Sequence, residues 1–485
     1  MSERTALKVD TSQVPDAGST ESLRNLGGQD TPSTREKKRR WRKKLLYLVA
    51  AKQFLEQKKL QPLGWKAGSM ALVKSTWLNW LFLFVVILPF VQGREGARFA
   101  FGSIALLPLA TLLGDVTEKV AYHTTDTIGG LLNATFGNAT EVIVSVFAMR
   151  LGLIDVVQSS LLGSVLSNML LVLGTAFVAA GMKKKVAKFN RLAASANTSL
   201  LLVVVLAIAV PAVLSASQEI EKPELKAFSH GVAVIMLLLY GLYLFFQLSS
   251  HAYIFEDDED ASPKSPSARA RGEAGFQQVV LAAAHANRLP PFDGSYPELE
   301  EDDDDEFVLA PNVAIAWLAL LTLLISLLSK VICDAIEGAA LAWNLPRAFV
   351  GFVLLPIVGN AAEHATAIGM AYREKLDLAI AVALGSSTQI ALFVIPLMVV
   401  IGWVLPGLDN DMTLDFPPFE TTVTMLSVII VAFQVQVGEA TYLSGLVLVV
   451  AYVIIALSFV YLHRKVEMIP VPGDPVRRAL RGSAF

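Results

Sequence analysis

A single cysteine, Cys333, occurs in the whole chain and falls within an apolar run, so neither an intrachain disulfide nor a thiolate metal centre can be built. Charge is scarce as well. Asp, Glu, Lys and Arg together make up 17% of the 485 residues, below the quarter usual for soluble domains, while 54% are hydrophobic and mean hydropathy is +0.54. This balance excludes a string of soluble domains and places the main body in a bilayer as one polytopic unit. The opening stretch MSERTALKVDTSQVPDAGSTES lacks the short apolar core of a secretory signal, so insertion is expected to rely on an internal segment. No glycine loop with lysine and no nucleophile with a matched base is found, which leaves an enzymatic reading without support. The net charge of -3 gives no pointer to a nucleic-acid partner, and nothing in the sequence fixes an oligomeric state.

What is abundant is apolar runs long enough to cross about 30 Å of hydrocarbon. They predict an all-α integral membrane protein with about eleven spans, near 73–92, 98–116, 126–150, 156–180, 196–216, 227–249, 312–334, 345–371, 377–404, 418–437 and 441–463. Residues 1–72 read as an N-terminal tail. Its first part is solvated, and the later WRKKLLYLVAAKQFLEQKKL is either an amphipathic helix on an anionic membrane surface or a simple topogenic anchor. Residues 250–311 read as an acidic, mostly solvated linker, and 464–485 as a C-terminal tail. The block Lys38 to Lys44, the loop KKKVAKFNR and the turn with Arg373 and Lys375 fall on one side, which is expected to be cytoplasmic. An odd count then puts the N-terminus in the cytosol and the basic C-terminal tail on the far side, against the usual charge bias.

The body is duplicated. GNATE (Gly137 to Glu141) matches GNAAE (Gly359 to Glu363) at a separation of 222 residues, and DVVQSSLLGS matches DLAIAVALGS at the same separation, with no gap between motifs. A looser echo relates Asp115 and Glu118 to Asp334 and Glu337. If spans 2–6 and 7–11 are the repeats, each has an odd number of helices and they insert with opposite orientation, leaving span 1 outside. Such inverted repeats place substrate and coupling-ion sites near the midplane, where equivalent side chains converge.

Asn138 and Glu141 stand three residues apart on one helical face, as do Asn360 and Glu363. A carboxylate at the bilayer centre costs about 2.5 to 3.5 kcal/mol, so two of them call for a cation, a proton or water. Ser164, Ser386 and Gln389 add neutral oxygens, and glycines 137, 163, 359 and 385 permit close approach or unwinding. Two carboxylates among carboxamide, hydroxyl and carbonyl oxygens suit a hard divalent cation such as Ca²⁺. Protons can replace the cation on Glu141 and Glu363, so the two ligands exclude each other, which is the requirement for antiport. His364 points about 100° from Glu363 and either tunes protonation or packs as an interfacial imidazole. Asp115, Glu118, Asp334 and Glu337, near span ends, read either as an ion-attracting funnel or as ordinary water-facing charge. The EEDDDDE run is expected to be solvated and lacks the spaced ligands of an EF-hand.

Four segments, GGLLNATFGNATE, QSSLLGSVLSNMLLVLG, LPIVGNAAEH and GSSTQIALFVIP, resemble in order the signature segments of the Ca²⁺/H⁺ exchanger family within the cation/Ca²⁺ exchanger superfamily. The resemblance implies an extra first helix followed by two inverted five-helix repeats. It implies further that Glu141 and Glu363 are the central acids and that Asn138, Asn360, Ser164, Ser386 and Gln389 are supporting oxygens. It also implies a vacuolar membrane, a lumenal C-terminus, Ca²⁺ (with Mn²⁺ as a variant) and H⁺ as transported ions, and no cofactor. A Na⁺/Ca²⁺ exchanger is the nearest alternative, and would be expected to carry more carboxylates where this chain has Ser386, Ser387 and Gln389. A cation channel, the more distant one, is disfavoured by the inverted repeat within one chain.

Overall fold

A computed structural model describes residues 62–75, 77–218, 220–255, 308–405 and 412–467. The amphipathic N-terminal segment, both acidic runs and the basic C-terminal tail lie outside the described residues. The chain divides into a small unit, residues 1–71 with 263–310, and a body, residues 72–262 with 311–485. Within the described part of the small unit, Leu63 bridges to Leu309 in parallel, its N–H donating to the Val308 carbonyl at 2.7 Å.

Helix α1 (Trp65–Lys74) is followed by a short α2 (Leu83–Ile87) flanked by 3₁₀ turns. The body then runs α3 (Glu95–Ala121), α4 (Asp126–Phe136), α5 (Ala139–Arg150), α6 (Ile154–Lys183), α7 (Arg191–Ser217) and α8 (Lys222–Ser250). After the linker come α9 (Pro311–Trp343), α10 (Arg347–Gly359), α11 (Ala361–Tyr372), α12 (Leu376–Val404), α13 (Pro418–Gln436) and α14 (Tyr442–Glu467). Eight described helices are long and apolar enough to cross a membrane, and three bent pairs raise the count to eleven. If each bent pair is one span the count equals the expected eleven, and the first, third and eighth are then each broken, by 94° after α1, by 43° between α4 and α5 and by 52° between α10 and α11.

The two halves repeat each other in detail. Both bends fall at a Gly-Asn step, and Asn138 (φ -106°, ψ 13°) and Asn360 (φ -90°, ψ 11°) share the bridge conformation that ends one helix and starts the next. Both long fourth helices carry a π-helical turn, Ser167–Val172 in α6 and Ile390–Val394 in α12, about one shared register after their Gly-Ser pairs. Such a turn widens the helix locally and is found mostly at functional sites. Equivalent helices pack together across the halves, α3 against α9 and α7 against α13. Glycines let the first pair approach closely, because a Cβ on Gly102 would meet Ile332 at 3.0 Å and one on Gly338 would overlap Glu95.

Short ties hold the loops at each end of the body. Strand β1 (Ala187–Lys188) pairs antiparallel with β2 (Glu439–Ala440), and Lys184 bridges to Glu374 at 2.7 Å, joining three connections at the lysine-rich end. At the opposite end Arg347 reaches Glu337 at 2.9 Å and Asp155 at 3.9 Å. Cys333 is buried, its thiol facing the Val144 carbonyl at 3.6 Å.

Candidate ion-binding site

Glu141 and Glu363 both fall in the first turn of a half-helix, α5 and α11, directly after the bends. The unsatisfied N–H groups of a first turn carry partial positive charge, so each break aims a helix dipole at an acid. Asparagine at such a position ordinarily caps its own helix. Neither does so here. The Asn138 amide donates to the Ala134 carbonyl at 2.9 Å and to Gln389 Oε1 at 2.7 Å, and the Asn360 amide donates to the Ser164 carbonyl at 3.2 Å. Each asparagine thus clamps the opposite repeat, Asn138 to α12 and Asn360 to α6. Both are buried, at 2% and 1% exposure, and the Asn360 Oδ1 has no hydrogen-bond partner.

The two acids line one cavity of about 340 Å³, together with Thr140, Gly359, Ala362 and Thr366. A water molecule's share of liquid volume is about 30 Å³, so a partly hydrated cation fits there. Glu141 crosses the bend between α10 and α11. A Cβ on Gly359 would stand 3.4 Å from its Oε1, and its Oε2 is buried without a partner. Orphaned oxygens on Glu141, Asn360 and Asn168 are rare in a native interior and leave acceptor capacity for a cation or a proton donor. No group of three His, Cys, Asp or Glu gathers among the described residues, so a cation here would be held by two carboxylates completed with neutral oxygens.

Of the remaining predicted residues, Ser164 is buried and offers its carbonyl, Gln389 is held by Asn138, and Ser386 Oγ accepts from the Asn168 amide at 2.9 Å. His364 lies beside the site rather than in it, its Nε2 2.9 Å from Thr175 Oγ1 on α6. Asp115 and Glu118 line the same cavity as the central acids. Asp334 and Glu337 do not; they are ion-paired with Lys330 and Arg347. Inversion places the two pairs at opposite ends of the body, and the cavity of the central acids extends to the end with Asp115 and Glu118.

Among the buried polar residues that escaped the sequence reading, Asn168 and Glu420 each have a buried oxygen without a partner. Asn168, fully buried in the π-helical turn, has Ile390 at the equivalent place, so the duplication could not flag it. Glu420, in the first turn of α13, is 2% exposed and accepts from Ser159 Oγ at 2.9 Å. Its sole sequence signal is an acid directly after PPF at a helix start.

The pattern described as sodium/calcium exchanger protein matches residues 96–249 and 313–461, one match in each half. The chain belongs to that family. It is 44% identical over 381 residues to vacuolar cation/proton exchanger 3 of Oryza sativa subsp. japonica, covering 77% of this chain and 82% of that one. It is 42% identical over 378 residues to vacuolar cation/proton exchanger 2 of Arabidopsis thaliana, covering 77% and 78%. Among solved structures, native YfkE superposes with TM-score 0.60 at 29% identity, covering 78% of this chain and 97% of that one. The H⁺/Ca²⁺ exchanger CAX shares the fold, with TM-score 0.55 at 11% identity over 83% and 94%. The two matched segments coincide with the repeats, so family membership and internal duplication are one observation.

Proposed function

We propose that this protein is a secondary transporter that exchanges Ca²⁺ for H⁺ by alternating access, Glu141 and Glu363 carrying either one Ca²⁺ or protons. The observation that carries the reading is the pair of equivalent acids facing a single cavity open at one end of an inverted repeat. Two carboxylates neutralise one divalent charge. Asn138, Asn360, Ser164, Ser386 and Gln389 complete the six to eight oxygens that Ca²⁺ takes, and Mn²⁺ is accepted by the same donor types. When Ca²⁺ leaves, two carboxylates sharing one desolvated cavity cannot both remain charged, so protons take its place.

The relatives' description as vacuolar cation/proton exchangers supports a vacuolar membrane. The open end carries Lys183, Lys184, Lys185, Arg373 and Lys375, which by the positive-inside bias is cytosolic. The described conformation is then cytosol-facing, with Asp115 and Glu118 at its entrance, the N-terminus cytosolic and the C-terminus lumenal. Residues 1–72, 250–311 and 464–485 are tails and linker outside the transport body. Sodium coupling, which the family description also admits, is disfavoured by the neutral Ser386, Ser387 and Gln389. The relatives are transporters, and no catalytic or cofactor chemistry enters this cycle.

The test is Ca²⁺ uptake into proteoliposomes with an imposed pH gradient. Uptake is expected to collapse with the gradient and to persist without sodium; uptake that ignores pH and requires sodium overturns the reading. Glu141→Gln or Glu363→Gln is expected to lower uptake at least about 100-fold, about 2.7 kcal/mol of lost cation and transition-state interaction.

A further inference from the structure

Among the described residues, Glu420 is the one carboxylate or base whose whole side chain is buried, and the exchange cycle above gives it no role. It does not line the open cavity. Glu420 starts α13 at the end where Arg347 ties Glu337 and Asp155, and Gln158 beside it donates to the Thr413 and Asp415 carbonyls at 3.3 and 3.0 Å. That pins a lid of Met412, Leu414 and Phe416, each at most 1% exposed, over this end of α6. Beneath the lid, Glu420 Oε1 accepts from Ser159 Oγ, and Oε2 is enclosed with no partner. Ser159 stands five residues before Ser164 on α6, about 7.5 Å along the axis from the carbonyl that Asn360 holds.

Oε1 is taken by Ser159 and the neighbouring Asp155 is engaged by Arg347, which leaves Oε2 as the one unpartnered carboxylate oxygen in this place, too few for a divalent cation. A proton needs only one oxygen. Of the ionisable groups, the Asp155 carboxylate on α6 acts on it and Asp415 stands five residues before it in the lid; both are acids. The stretch of α7 alongside, 205–217, has none. No base neutralises it directly, since Arg347 is engaged by Asp155 and Glu337.

Building on Ca²⁺/H⁺ exchange, we infer that Glu420 is a proton-binding group on the lumenal side of the closed gate, which takes up the exchanged proton on Oε2 before it reaches Glu141 and Glu363. A hydronium ion on the lumenal side gives up its proton, one of its O–H bonds breaking to leave water as an O–H bond forms at Oε2. When the gate opens and Ca²⁺ leaves, that bond breaks, the proton moves to a central carboxylate, and Glu420 is again a carboxylate bonded to Ser159. Glu420 also fastens α13 to α6, so the test has to separate proton carriage from anchoring. Glutamine keeps the acceptor for Ser159 and cannot carry a proton.

Proteoliposomes with independently set lumenal pH are compared in two modes: proton-driven Ca²⁺ uptake, and isotopic Ca²⁺/Ca²⁺ exchange, which moves no net proton. Glu420→Gln is expected to slow proton-driven uptake at least tenfold and flatten its dependence on lumenal pH, with Ca²⁺/Ca²⁺ exchange within twofold of wild type. Glu420→Asp, which keeps a carboxyl, is expected to restore the lumenal pH dependence; it also serves if the glutamine protein does not fold. Equal loss in both modes, or an unchanged lumenal pH profile in the glutamine protein, overturns the proposal. A wild-type protein without proton-driven uptake would instead overturn the exchange reading itself.

Discussion

At the scale of single residues, the site is held by amides that give up a local role for a distant one. Asn360 could cap α11; it clamps the Ser164 carbonyl of α6 instead and leaves its own Oδ1 free. Asn360→Ala removes a candidate ligand oxygen and the amide that clamps the Ser164 carbonyl, which keeps its backbone bond from the Ser167 N–H, so the loss falls mainly on the site, about 1 to 2 kcal/mol. Apparent Ca²⁺ affinity is therefore expected to weaken about tenfold or more, with a melting temperature close to wild type, measured by Ca²⁺-dependent uptake and by thermal unfolding in detergent. The acids and their asparagines were legible because each motif occurs twice, and a buried ionisable group needs a reason that packing does not supply. Asn168 and Glu420 were not legible by that route, since Asn168 has Ile390 and Glu420 has the hydroxyl of Thr198, not a second acid, at a separation of 222 residues. Burial of a polar atom depends on which helices close around it, and one helix's sequence does not contain that.

At the scale of elements, the two halves are equivalent in sequence but not in surroundings. A Cβ on Gly163 would overlap the Phe352 carbonyl, whereas one on its repeat partner Gly385 meets nothing within 4 Å. Inverted repeats that alternate access exchange such environments, the loose crossing becoming the tight one. Gly163→Ala is expected to destabilise this conformation by about 1 to 3 kcal/mol or more, since backbone cannot yield as a side-chain tip can. Gly385→Ala is expected to fold normally and transport poorly, because its methyl blocks the opposite state. Thermal unfolding and uptake measured on both proteins check this, and a Gly385→Ala protein with wild-type turnover would contradict it. The count of spans was legible from apolar length alone. The bends at Gly-Asn and the π-helical turns were not, because a glycine in an apolar run also serves close packing, and the choice is made by the neighbouring helix.

At the scale of the whole molecule, the end ties set how easily the body leaves its described state. The Arg347 bridges to Asp155 and Glu337 close the sealed end, yet all three side chains are 44% to 60% exposed, and such pairs are worth about 0 to 1 kcal/mol. Arg347→Ala removes both pairs and thus moves the balance between states by no more than about 2 kcal/mol, about thirtyfold, and apparent cytosolic Ca²⁺ affinity is expected to fall by no more than that factor. At the other end Lys184, bonded to Glu374, holds that carboxyl below its ordinary value of 4.5. A depressed folded value means the bridge contributes fully above the unfolded value and is lost as pH falls through the folded one. The melting difference between wild type and Glu374→Gln is therefore expected to stay constant from neutral pH down to the ordinary carboxylate range and to vanish below it. It is also expected to shrink with added salt, because both partners face water. A difference that instead grows on acidification would mean that Glu374 is held by something other than Lys184.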